Sequence, residues 1–441
     1  MISRMKGALG SYGMLGALLL LCVYFSYATY HLEQPSGKEG AKELAAEVTA
    51  ASSSSDRIVV VIGSQSGDYE FGTAISAELA DRGRHVLALI AGDPPSVREA
   101  IERETSGGAG KVIVVATPAC AQWQLWNVLK EKPQFNGLTV VSPHSRYKST
   151  FLSASNLRNI ADQIAVIAII AVGMTLVIIS AGIDLSVGSL VALSAVVTAW
   201  LIRSWGGTNA SVGSLLLASL AAIALCGAVG GFSGLMITGF RIPPFIATLA
   251  MMQVTSGLAF IIAKGQSIYD IPFSFTVLGR GAALLTLPNA VVVMALIYAG
   301  AHLFMARSAI GRRIYAVGGN AEASRLSGVS TKRTLLFVYI ASGLMAGIGG
   351  VITASQLKAG APTYGAMYEL YVIAAVVVGG TSLTGGEGRI FGTLVGAFII
   401  AVIRNGMNLV GVESYTQKVV LGVVILLAVM LDMLKRRVMK A

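Results

Sequence analysis

The chain is 441 residues long, 54% hydrophobic and only 12% charged, with a net charge of +11. A water-soluble chain of this length needs far more charge to cover its surface, so a bilayer is the natural solvent for most of it. Residues 1–150 carry 14 basic and 14 acidic residues while 151–441 carry 19 and 8, so the whole excess lies in the apolar part, without interleaved aromatics, which argues against a nucleic-acid binder.

The first apolar run, residues 9–30, is long enough to cross a bilayer of about 30 Å. Arg4 and Lys6 precede it and place that end inside. Its length and the lack of a small-x-small site favour a retained helix, residues 1–31, over a cleaved leader. Residues 32–56 are polar, end in AASSSSD, and read as a linker. The pattern then changes. RIVVVIGS (57–64), HVLALIAGD (85–93), KVIVVATPA (111–119) and LTVVSP (138–143) are short Val- and Ile-rich runs separated by helix-like stretches. That alternation predicts a small parallel sheet flanked by helices over 57–145.

From residue 158 apolar runs follow one another almost without pause. Spans are expected near 158–180, 187–204, 211–238, 244–263, 288–306, 334–354, 369–380, 392–410 and 417–434. The fold class is therefore an α-helical polytopic membrane protein of about ten transmembrane helices, with an inserted small α/β domain on the extracytoplasmic side. An even count puts both termini on one side, and Lys435, Arg436, Arg437 and Lys440 mark it as cytoplasmic. Residues 32–157 then lie outside. The loop 307–333, with Arg307, Arg312, Arg313, Arg325, Lys332 and Arg333 against Glu322 alone, lies inside.

Four polar interruptions stand out. In GMTLVIISAGIDLSVGSLVALSAVV (173–197), Asp184 and Ser186 either line a polar pathway or cap the helix that follows. In 239–265, Pro243 and Pro244 fit a tight turn into a helix that carries Gln253, Thr255 and Ser256 in mid-membrane, for helix-to-helix hydrogen bonds or contact with a hydroxylated solute. The loop 307–333 contains a short amphipathic stretch, NAEASRLSGV, that either docks on a partner or is an ordinary positive loop. In 376–412, Gly379, Gly380, Gly385, Gly386 and Gly388 form a turn that does not match GxxxxGK[ST], and no other stretch does, so an ATP-binding P-loop is not expected. Arg404, Asn405 and Asn408 follow; the i, i+4 spacing puts Arg404 and Asn408 on one helix face, expected toward the bundle interior. The three cysteines and four histidines have no metal-ligand spacing, and no nucleophile–base constellation is visible.

NLRNIADQ (156–163), VGMTLVIISAGIDLSVGS (172–189), IPPFIATLAMM (242–252), GRRIYAVGGNAEASRLSGV (311–329) and VVVGGTSLTGGEGRIFG (376–392) stand in one order over some two-thirds of the chain. With them, residues 146–441 resemble the ribose-, xylose- and galactose-type permeases of bacterial ABC importers. The resemblance implies a non-enzymatic transport subunit in the inner membrane that moves a monosaccharide inward. It implies a second permease copy (the same chain or a close paralogue), two cytoplasmic ATPases that hold the ATP and Mg²⁺, and an extracytoplasmic sugar-binding protein. It also implies that 311–329 docks on the ATPase, through Gly311, Arg312, Arg313, Gly318, Asn320, Glu322, Arg325 and Gly328. The pathway candidates are Asp184, Ser186, Gln253, Thr255, Asn405 and Asn408. The first helix and the NLRNI-like segment are joined in such permeases by a short external loop; here a domain fills it. That domain resembles one lobe of a sugar-type periplasmic binding protein, which suits a docking surface or a degenerate domain better than an enclosed sugar site. An ion-coupled secondary transporter, with Glu369 and Arg404 as its only candidate coupling residues, and a membrane-tethered sensor are the alternatives.

Overall fold

The computed structural model describes residues 2–33, 37–53, 56–64, 66–105, 111–282 and 287–440. The chain divides into two compact units, one of Met1–Thr29 with Thr150–Ala441 and the other of Tyr30–Ser149. The first unit opens with α1 (Ile2–Ala28).

The second unit then runs through β1 (Tyr30–Glu33), α2 (Gly37–Ala51), β2 (Arg57–Ile62), α3 (Ser66–Asp81), β3 (Val86–Ala91), α4 (Pro94–Glu104), β4 (Val112–Ala116), α5 (Pro118–Ala121), α6 (Leu125–Lys130), β5 (Thr139–Val141) and β6 (Arg146–Ser149). Strands β2 to β5 form one parallel sheet in the order β3-β2-β4-β5. The two central strands are covered on both faces, which is why they read as unbroken Val and Ile runs. Val59, Val61, Val112 and Val114 pack with Val97, Ile101, Trp126 and Leu129 on one side. Ile58, Val60 and Ile62 pack with Leu44, Val48, Phe71 and Ile75 on the other. Helix α4 begins with a reciprocal capping box between Asp93 and Ser96.

Two boundaries differ from the sequence expectation. The stretch expected as a linker holds β1 and α2, and α2 belongs to the core: Ala41, Leu44, Ala45 and Val48, spaced i, i+3, i+4 and i+7, are all buried. Ser54 and Ser55 of the serine run lie outside the described residues. Residues 146–149, assigned by sequence to the membrane part, pair as β6 antiparallel to β1, with Tyr30 stacked on Tyr147 at 5.5 Å. The helix-like stretch between β4 and β5 is broken: α5 and α6 are separate, and a 3-10 turn follows at Pro133–Phe135.

The membrane unit resumes with α7 (Ala154–Ile179), α8 (Val187–Ser204), α9 (Val212–Gly239), α10 (Pro244–Ile262), α11 (Val277–Arg280), α12 (Asn289–Arg307), α13 (Ala309–Gly319), α14 (Ala321–Leu326), α15 (Thr331–Leu357), α16 (Tyr368–Val378), α17 (Ile390–Leu409) and α18 (Ser414–Lys440). Helices stand at all ten expected positions. Seven of them, α7, α8, α9, α10, α12, α15 and α17, are long and apolar enough among the described residues to cross a membrane. The others offer shorter apolar stretches, Gly13–Ala28, Tyr368–Val378 and Ser414–Met430. The protein is a polytopic α-helical membrane protein with an inserted small α/β domain. Helix α7 is its axis, buried along most of its length, whereas less than a third of the apolar stretch of α9, α10 and α12 is buried.

Glycine makes the closest packing possible. A Cβ on Gly343 of α15 would strike the Cys226 carbonyl of α9, and one on Gly234 of α9 would lie 3.2 Å from the Leu336 Cα of α15. The two helices therefore touch backbone to backbone.

If α2 is part of the core, Leu44→Ala should destabilise the inserted unit by about 2–4 kcal/mol. Lys42→Ala, on the exposed face of α2, should change little. Limited proteolysis of the full chain reads both; equal resistance in the two variants would return α2 to the status of a linker.

Candidate functional site

The polar centre of the bundle is the break between α7 and α8. Helix α7 ends at Ile179, Ala181 takes the left-handed conformation at φ 63°, and α8 begins at Val187. Polar groups buried in such a connection need protein partners in place of water. Asp184 supplies most of that replacement. Its Oδ1 accepts from the Ser186 N–H at 3.0 Å and the Ser186 hydroxyl at 2.6 Å, and its Oδ2 accepts from the Ser342 hydroxyl of α15 at 2.7 Å. Asp184 is 1% exposed. It thus closes an Asx turn just before α8, whose N-cap Ser186 has no side-chain cap bond of its own, and ties the α7–α8 connection to α15.

Neighbouring bonds fix the break on its other side. Thr248 of α10 donates to the Ile183 carbonyl at 3.3 Å, and one turn further along α8 the Ser189 and Thr255 hydroxyls are 2.7 Å apart. Asp184, Ser186 and Thr255 therefore gather at one place, bonded to α8, α10 and α15.

The other pathway candidates do not join them. Gln253 lies on the exposed face of α10. Asn405 is buried at the far end of α7, where it exchanges two side-chain hydrogen bonds with Asn156, at 2.9 and 3.0 Å. Asn156 also donates to the Phe151 carbonyl at 2.9 Å. The expected interior face of α17 is corrected: Asn408 is exposed and accepts from Gln417 at 2.7 Å, and Arg404 lies over the Tyr371 ring at 4.8 Å. It is Asn405 that points inward. A cation–π contact satisfies the Arg404 charge where it stands.

Ser189 stood among the polar interruptions of 173–197, but sequence reasoning missed Asn156, Thr248 and Ser342, and the Thr175–Thr393 hydroxyl pair at 2.8 Å that joins α7 to α17. Thr175, Thr248, Ser342 and Thr393 are each a small polar residue in an apolar run, and Asn156 stands in a polar segment; in every case a partner on a different helix leaves no joint signal in one sequence.

The 307–333 loop forms two short helices. Ser308 caps α13 through the Gly311 N–H at 2.8 Å, and Asn320 caps α14 through the Ala323 N–H at 2.8 Å. Gly311 and Gly318 are buried; a Cβ on Gly311 would meet the Met305 backbone, so only glycine permits the tight α12–α13 approach. Arg312, Arg313, Glu322, Arg325 and Gly328 are exposed. Arg325 makes a two-pronged pair with Glu322, and its hydrogen bonds, then its charge, hold the Glu322 carboxyl below the usual range. No cluster of three or more His, Cys, Asp or Glu suited to a metal occurs among the described residues.

Residues 156–429 match the family model described as the branched-chain amino acid transport system / permease component. The chain belongs to that permease family. It is a transport subunit, not an enzyme. It is 41% identical to the ribose import permease protein of Escherichia coli K12 over 312 residues, which is 69% of this chain and 94% of that one. Over 284 residues, 64% of this chain and 85% of the relative, it is 37% identical to the D-allose transport system permease protein of the same organism. With the xylose transport system permease protein it shares 35% over 351 aligned residues, covering 65% and 87%. No solved structure matches the chain.

The reciprocal Asn pair generates a test. Asn156→Leu and Asn405→Leu should each lower the permease's stability by about 1–3 kcal/mol, because each leaves a buried amide without its partner. The double variant should cost less than the sum. Thermal denaturation in detergent measures all three, and strict additivity would mean that the two amides do not hold each other.

Proposed function

We propose that this permease is the translocating subunit of an ATP-binding-cassette importer for a monosaccharide of the ribose, allose or xylose kind. One observation carries the reading: relatives named for those three sugars are matched along 85–94% of their own length. The family model's description names branched-chain amino acids, but it covers the permease architecture, and the sugar-named relatives share more with this chain than architecture.

On this reading the permease has ten spans and sits in the bacterial inner membrane with both termini in the cytoplasm. The inserted unit lies on the opposite side. The basic clusters at 307–333 and at both ends of the chain support that orientation. The exposed arginines of α13 and α14 present positive charge to a cytoplasmic ATPase, while the buried Gly311 and Gly318 seat the segment against the bundle. ATP and Mg²⁺ bind on that partner. A second copy of the permease covers part of the exposed apolar surface of α9, α10 or α12 and lipid the rest. Sugar arrives from an extracytoplasmic binding protein, for which the inserted unit offers a docking surface. No bond in the sugar is made or broken. The permease supplies hydroxyls and amides for the solute to exchange with water, and the enclosed Asp184 cluster ties the α7–α8 break to α15.

Co-purification of the tagged permease from native membranes should recover an ATPase in comparable amount, and proteoliposomes of the complex should take up D-ribose, D-allose or D-xylose when ATP is supplied. Arg312→Glu with Arg313→Glu should reduce the recovered ATPase about tenfold without altering insertion. Recovery of the permease alone, with uptake driven by an ion gradient, would replace this function with a secondary transporter. For the orientation, cysteine at Ser53 should react with an impermeant thiol reagent in intact cells and cysteine at Ser327 should not. Both positions are exposed, so a reversed pattern would invert the topology.

A further inference from the structure

Ile179 is the last residue of α7, and its carbonyl is one of the helix's orphan acceptors. Its donor comes from far along the chain: the Gly386 N–H, at 2.8 Å, from the glycine turn between α16 and α17. Gly318, on the buried side of α13, comes to the same point. A Cβ on Gly318 would overlap the Ile179 carbonyl oxygen and lie 2.7 Å from the Gly386 nitrogen. Gly385, at φ 82°, closes the ring; a Cβ there would lie 2.7 Å from the Ala181 Cβ and 2.8 Å from the Gly318 carbonyl.

Three pieces of backbone thus meet with no side chain of their glycines between them: the end of α13, the glycine turn and the α7–α8 break. The turn is closed by its own bonds, Gly385 N–H to the Ser382 carbonyl and Ser382 N–H to the Glu387 carbonyl, both 3.1 Å. Tyr315 of α13 adds a hydroxyl bond to the Gly388 carbonyl at 2.8 Å. A side-chain contact absorbs displacement by changing rotamer. Backbone packed against backbone cannot, because interiors at close-packed density shift in discrete rearrangements. The break itself holds a non-glycine residue, Ala181, in a sparsely populated conformation, and Asp184, the partner of Ser342, follows Ile179 by five residues.

We propose that this junction is the drive point of the transporter: displacement of α13 and α14 passes through Gly318 and Gly386 to the Ile179 carbonyl and reshapes the α7–α8 break that Asp184 holds. Gly318 and Gly386 are then positioning residues for translocation, distinct from the exposed arginines that hold the ATPase. The inference rests on the function proposed above.

The test uses the whole transporter, permease with its ATPase and binding protein, in proteoliposomes, with D-ribose, D-allose and D-xylose as probes. The readout is sugar taken up per ATP hydrolysed. Gly318→Ala should retain the bound ATPase and its hydrolysis while lowering uptake per ATP by about tenfold or more. Tyr315→Phe, which removes only the hydroxyl bond to the glycine turn, should lower it by about threefold. Gly300→Ala, at a site in α12 where a Cβ meets nothing within 4 Å, should keep the wild-type ratio. A wild-type ratio in Gly318→Ala overturns the junction, and so does loss of the ATPase together with uptake, which would make Gly318 part of the docking surface. If Gly318→Ala aggregates on size exclusion, Tyr315→Phe decides, and a wild-type ratio there overturns the inference. Absence of any ATPase on the wild-type permease is a different result: it sinks the proposed function and the junction together.

Discussion

Everything in the membrane unit depends on one constraint, that a buried connection between two helices must find protein partners for each polar group that water would otherwise satisfy. The α7–α8 break meets it from four directions. Gly386 serves the Ile179 carbonyl, Thr248 the Ile183 carbonyl, and Ser186 and Ser342 the Asp184 carboxylate. None of these partners is close in sequence except Ser186. The break is therefore stable only when α10, α15 and the glycine turn are all in place. A site with that many distant dependencies responds to movement in any one of them.

The glycines follow from the same constraint. Helices with no water between them gain from contact only when their backbones approach, and α9 and α15 approach through Gly234, Gly343 and Gly347. The turn at 385–386 uses glycine for a second reason, since both residues sit at positive φ beside another backbone. One residue type thus holds the bundle together and forms its proposed moving joint. At Gly318 the close approach of the Ile179 carbonyl excludes a Cβ, while a Cβ on Gly300 meets nothing, which is why the same substitution is expected to have different consequences at the two sites.

How much was legible in the sequence depended on whether the signal was local. Strands β2 and β4 were readable because burial on both faces leaves an uninterrupted Val and Ile run, and Asp184 was readable because a carboxylate in an apolar stretch is costly. Its partner Ser342 was not, because a serine in a membrane helix is common and its meaning lies 158 residues away. Helix α2 was legible in principle, since Ala41, Leu44, Ala45 and Val48 have helical spacing, but alanines and neighbouring charges made the stripe look like linker. On α17 the i, i+4 rule correctly put Arg404 and Asn408 on one face and gave no information about which face was buried. The buried Asn156–Asn405 pair decides that, and it lies between two helices 249 residues apart in sequence.

The inserted unit shows why a domain can interrupt such a bundle at this place. Within the membrane unit the two cut ends hold each other: the Thr150 N–H donates to the Thr29 carbonyl at 3.3 Å, and the Phe151 N–H to the Thr29 hydroxyl at 3.1 Å. Phe25 stacks on Phe151 at 6.0 Å beside them. Within the inserted unit β1 pairs with β6, so its entry and exit strands also hold each other. Each unit closes its own ends, and neither needs the other's residues to complete its core. The closing bonds at Thr29 join the end of α1 to the approach of α7 within the membrane unit itself.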